Sequence, residues 1–106
     1  MANANRPRWT LLTNHGAVLL AIARNPDSRI DDIAAEVNVS ARAVQTIIGD
    51  LVEDGYIERV RVGRRNHYRV HPEMPMRRSA YHDREIGSLL ALLAGAAVPW
   101  LLTLAS

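Results

Sequence analysis

The stretch IAAEVNVSARAVQTIIGDLV, residues 33–52, constrains this chain more than any other. Ile33, Ala34 and Val37 share one face of a helix, and Val44, Ile47, Ile48 and Leu51 share one face of another. Between the two stripes stands Asn38-Val39-Ser40. Asn tolerates the left-handed backbone that ends a helix, and Ser accepts backbone N–H bonds as the N-cap of the next. Two short helices joined by so tight a turn must cross steeply, and Ala34 is small enough to let them approach. The spacing predicts a helix-turn-helix whose second helix is offered to a DNA groove.

The outward face of that second helix agrees. Ala41, Arg42, Gln45, Thr46 and Gly49 point away from the apolar stripe. Arg bridges guanine O6 and N7, and Gln bridges adenine N6 and N7. Ala41 and Gly49 are small and leave room for a groove wall. Asp50, Glu53 and Asp54 near the end of the helix would repel phosphate, so its N-terminal half is expected in the groove. An ordinary amphipathic helix pair with a solvated face would show the same periodicity, so the segment after the second helix has to decide between them.

Gly55 is placed to end the helix. The segment YIERVRV, residues 56–62, alternates and is β-branched, so a strand is expected. Gly63-Arg64-Arg65-Asn66 reads as a turn and His67-Tyr68-Arg69-Val70 as the return strand. Pairing Val60 with Val70 and Val62 with Tyr68 would set those four against the helices. It would put Arg59, Arg61 and Arg69 on the other face and Arg64 and Arg65 at the tip. Residues 59–69 hold five Arg and no acid. A basic hairpin directly after such a helix reads as a wing, its tip suited to phosphates or a narrow minor groove. The candidate DNA contacts are Ser40, Ala41, Arg42, Gln45, Thr46, Arg61, Arg64, Arg65 and Asn66.

A length of 106 residues allows one domain with a modest core and no separate catalytic domain. The absence of Cys excludes disulfides and thiolate metal sites. The formal charge is only +2, but all 13 basic residues are Arg, the better fork for phosphates and base edges. Residues 1–12 form a polar arm without the apolar core of a signal peptide, and a cytoplasmic location is expected. Arg6 and Arg8 are available to phosphates, while Trp9, Leu11 and Leu12 are expected to pack on the domain. A first helix should run from about His15 to Arg24, capped by Thr13 or Asn14 and stopped by Asn25-Pro26. Arg29-Ile30 is expected as a short strand, with Asp31 or Asp32 capping the next helix.

The run RIDDIAAEVNVSARAVQTIIGDLVEDGYIERVRVGRRNHYRV resembles small winged helix-turn-helix transcriptional regulators of the MarR/ArsR type. The resemblance covers about residues 13–70. It implies a homodimer on a palindromic operator, usually as a repressor. By position Ser40, Arg42, Gln45 and Thr46 match groove-reading residues, and Arg64 and Arg65 match the wing tip. Asn38 stands where the motif usually has Gly. Relatives that sense metals commonly use Cys, which this chain lacks.

Residues 72–80, with two prolines and no periodicity, read as a linker. His67, His71 and His82, with Glu73 and Asp83, lack the spacing of a defined metal site, and no cofactor is expected. No nucleophile–base pair or phosphate-cradling glycine loop is present, so the chain does not read as an enzyme. Residues 86–106 carry no charge and are long enough to span a bilayer. However, Pro99, two Gly and several Ala weaken that reading. Ile86, Leu89, Leu90, Leu93 and Ala97 form one helical stripe that fits a helix packed against its copy in a second subunit.

The expected fold is α+β and mainly helical. It comprises a winged helix-turn-helix over residues 13–71, with a three-helix core and a β-hairpin wing, and a dimerisation helix within residues 81–106. The function it points to is sequence-specific binding of double-stranded DNA by a homodimeric transcriptional regulator. The alternatives are a protein-docking winged helix and a membrane-anchored regulator. A docking surface would show exposed aliphatic or aromatic groups where this chain has arginine.

Overall fold

Thr13 starts the first helix. Its hydroxyl accepts the Gly16 N–H at 3.1 Å, and α1 runs Asn14–Arg24 before Asn25 and Pro26 end it. The computed structural model describes residues 8–95 and 98. α2 (Ile30–Val37) comes after a tight turn in which the Asn25 side chain accepts the Asp27 N–H. Arg29 and Ile30 do not form a strand. Arg29 precedes the helix as an extended residue, Ile30 opens it, and Asp31 and Asp32 lie in its first turn beside the positive end of the helix dipole.

Asn38 adopts the left-handed conformation (φ 69°, ψ 45°), and the N–H groups of Asn38 and Val39 both reach the Ala34 carbonyl. Ser40 then caps α3 (Ala41–Glu53), its hydroxyl accepting the Ala43 N–H at 3.0 Å. At the far end Gly55 N–H bonds the Val52 carbonyl and Tyr56 N–H the Leu51 carbonyl, the paired bonds of a Schellman close. Tyr56 and Leu51 are both buried at this point. Ile22, Ile33, Val44 and Ile48 meet at the centre of the three helices, each almost wholly excluded from solvent.

The wing is an antiparallel pair, β1 (Ile57–Val62) and β2 (Arg65–Val70), but its register differs from the expected one. Ile57 opposes Val70, Arg59 opposes Tyr68, and Val62 opposes Arg65. The turn explains the difference. Only Gly63 and Arg64 lie between the strands, and Gly63 takes φ 62°, which suits a two-residue hairpin turn with glycine first. β2 therefore begins at Arg65, two residues earlier than expected. Val60 faces His67 in place of Val70, a shift of three positions in the pairing, and an odd shift exchanges faces, so Ile57 and Tyr68 supply the buried anchors while Val62 is left 61% exposed.

Residues 72–85 form a strap. Its ends are pinned by bonds from Ile86 N–H to the Met74 carbonyl and from Gly87 N–H to the Pro72 carbonyl. Pro75 bridges Glu85, and the Tyr56 hydroxyl donates to the Pro75 carbonyl. One 3-10 turn, Ser79–Tyr81, sits at the outer bend. α4 (Ile86–Ala94) packs against α1 and buries Ile86 and Leu90 in the chain's own core. Leu92 remains 77% and Leu93 46% exposed, and Leu89 is half-buried. Trp9 and Leu11 do not pack as expected, Leu11 being 91% exposed, and Leu12 is half-buried. No helix among the described residues is long and apolar enough to cross a membrane. Arg6, Ala97, Pro99 and residues 100–106 lie outside the described residues.

Candidate nucleic-acid interface

The amphipathic period of α3 determines what it exposes. Val44, Ile47, Ile48 and Leu51 face inward, so Arg42, Gln45, Thr46 and Gly49 are turned to solvent. Ala41 is half-buried at the first turn. A Cβ added at Gly49 would meet nothing within 4 Å, so this face is open as well as small. Thr46 turns its hydroxyl back to donate to the Arg42 carbonyl at 3.2 Å. Ser40 accepts from the helix backbone and retains its own O–H as a donor.

Two of the three acids at the end of α3, Asp50 and Asp54, are held by other elements. His15 Nε2 lies 2.8 Å from Asp50 Oδ2, and Arg77 donates to Asp54 Oδ2 at 3.1 Å. These contacts offset negative charge that would oppose a phosphate backbone. They also leave the N-terminal half of α3, which carries Arg42, as its cationic end.

On the wing, Arg64 occupies the turn and Arg65 the first position of β2, opposite Val62. Arg61 donates through Nε to the Gly63 carbonyl at 3.1 Å, which folds its stem toward the tip. Asn66 is half-buried and faces Arg61 across the ladder. Arg59, absent from the candidate contacts, is exposed and shares a face with Arg61 and Asn66, whereas Arg69 lies on the opposite one. Only the two-residue turn, read from Gly63-Arg64, carried that information in the sequence. Arg69 bridges Glu58 at 3.4 Å and Arg24 bridges Glu36 at 3.5 Å. Among the described residues Arg42, Arg59, Arg61, Arg64 and Arg65 have no acidic partner. Unpaired guanidinium groups on one helix face and one adjoining hairpin make a surface for polyanions.

A helix-turn-helix with a solvent-facing polar helix and a basic β-hairpin behind it defines a winged-helix DNA-binding module. The model of the MarR family matches residues 9–65, more than half of the chain, and the protein belongs to that family of DNA-binding transcriptional regulators. Members of the family commonly dimerise, and they act as regulators of transcription, not as enzymes. No curated protein matches the chain.

Proposed function

We propose that the protein is a cytoplasmic homodimeric repressor that reads a palindromic operator, α3 of each subunit entering a major groove and the wings lying alongside. The observation that carries this reading is the set of acid-free arginines shared by the outer face of α3 and the hairpin. In it Arg42 and Gln45 read base edges, with Ser40, Ala41 and Thr46 lining the groove. Arg61, Arg64, Arg65 and Asn66 hold the wing to the backbone or a narrow minor groove. Two-fold symmetry of the protein implies two-fold symmetry of the site.

The dimer surface in this reading is the part of α4 that the chain has not already buried. Ile86 and Leu90 belong to the core of each subunit, so Leu89, Leu92 and Leu93 are offered to the second copy. Beside them an apolar groove of 580 Å³, lined among others by Leu12, Leu19, Met76 and Leu89, extends the apolar surface toward the N-terminal arm. Selection of bound sequences from a random DNA pool, run with a mass measurement in solution, tests the whole reading. A palindrome bound by a dimer is expected. Retention of no duplex would favour a docking module, and an asymmetric site bound by a monomer would remove the dimer.

A further inference from the structure

A two-stranded hairpin is marginal in water by itself, so the direction of this wing depends on what fastens it to the helices. Ile57 and Tyr68 anchor its base. From Tyr68 the tip at Arg64 is four residues away, or about 13 Å of strand. A swing of about 10° at the base would carry the tip arginines about 2 Å, further than the spread of a good hydrogen-bond distance.

A second fastening lies on the outer edge of β2. The Tyr68 N–H bonds the Pro26 carbonyl at 2.9 Å, and beside it His67 Nδ1 lies 2.7 Å from Asp27 Oδ1. Asp27 is itself held. Its N–H bonds the Asn25 side chain at 3.2 Å, and Ser28 N–H bonds the Asn25 carbonyl at 3.0 Å. A rigid turn on the helical body therefore presents a carboxylate to the wing. On the wing, Arg65 and Arg69 flank His67 on the same face, Val60 lies opposite, and Glu58 is engaged by Arg69.

We propose that His67 is a positioning residue for DNA binding: with Asp27 it clasps the wing to the turn after α1 and so sets where Arg64 and Arg65 meet the duplex. The inference rests on the wing being a DNA contact and adds to it the residue pair that aims the wing. Neither residue touches DNA in this arrangement.

The test compares the affinities of substituted proteins for one fixed duplex under one set of conditions. His67→Ala should weaken binding about fivefold, a small effect because the side chains of His67 and Asp27 are 38% and 62% exposed. The same substitution should cost almost nothing once Arg64→Ala and Arg65→Ala are present, because the clasp acts only through the tip. His67→Asn places an amide nitrogen near the position of Nδ1. It should recover most of the affinity that His67→Ala loses. If His67→Ala costs as much without the tip arginines as with them, or His67→Asn binds as weakly as His67→Ala, the positioning role is overturned. If the Arg64, Arg65 double variant binds as the unsubstituted protein does, the wing reading itself falls, and this inference with it.

Discussion

Ser40 carries two demands at one position. Its oxygen caps the backbone at the start of α3, and its O–H remains available as a donor at the end of the helix where DNA is expected. The two separate by substitution. Ser40→Ala should cost about 1 kcal/mol of stability in denaturant unfolding, the usual loss for an N-cap. Ser40→Asp should keep the cap and the stability but weaken duplex binding, since it puts a carboxylate beside phosphate. Gly87 is a different case. A Cβ there would stand 2.6 Å from the Pro72 Cβ and 2.9 Å from the Pro72 carbonyl oxygen, so Gly87→Ala must push the strap off α4. A loss of about 1–3 kcal/mol is expected, read as a lower melting temperature. The caps at Thr13, Asn38 and Ser40 were legible in the sequence because each depends on two or three neighbouring residues. Gly87 was not, because its crowding comes from a residue fifteen positions earlier that only the folded strap brings near.

At the scale of elements, α3 and the wing should fail in different ways. Arg42→Ala with Gln45→Ala should relax preference at particular operator positions, at roughly 1–3 kcal/mol per lost bidentate contact. Arg64→Ala and Arg65→Ala should weaken binding to many sequences. They should also flatten the dependence of log K on log salt by about one unit of slope for each phosphate contact removed. Affinities over a salt series, measured on matched and mismatched duplexes, distinguish the two. The existence of both elements came from periodicity, 3.6 in one and two in the other. The register of the hairpin did not, because alternation alone does not say which residues pair or which face turns inward, and the turn length decides both. Here Gly63-Arg64 closed the turn two residues sooner than the run GRRN suggested. Arg65 therefore entered the ladder, and Arg69 went to the face opposite Arg59 and Arg61. The Arg29-Ile30 strand failed for a related reason. Its place beside β2 is taken by the single carbonyl of Pro26, while Ile30 goes to the first turn of α2.

For the whole molecule, α4 buries Ile86 and Leu90 and leaves Leu92 and Leu93 exposed, and the proposed dimer uses the exposed side. Leu90→Glu puts a charge into the core of each subunit and should unfold the protein or lower its stability by several kcal/mol. Leu93→Glu, on the exposed side, should leave the fold intact, give monomers in a sedimentation experiment and weaken operator binding sharply. If Leu93→Glu remains a dimer, α4 is not the contact between copies. The apolar stripe was visible in the sequence. Which of its side chains the chain buries itself was not, because a helical stripe looks the same whether it meets its own chain or another. The strap adds a consequence for the target. It fixes the start of α4 to Pro72 and Met74, and through Pro75 to Tyr56, the residue that closes α3. In the proposed dimer a subunit built this way would work as a caliper with a stiff hinge, because the jaw proposed to grip DNA and the arm proposed to meet the second copy share one short chain of bonds. One added base pair at the centre of an operator turns one half-site by about 35° relative to the other. A caliper of this kind has little slack to follow, so the operator should tolerate base changes in its spacer far better than any change in the spacer's length.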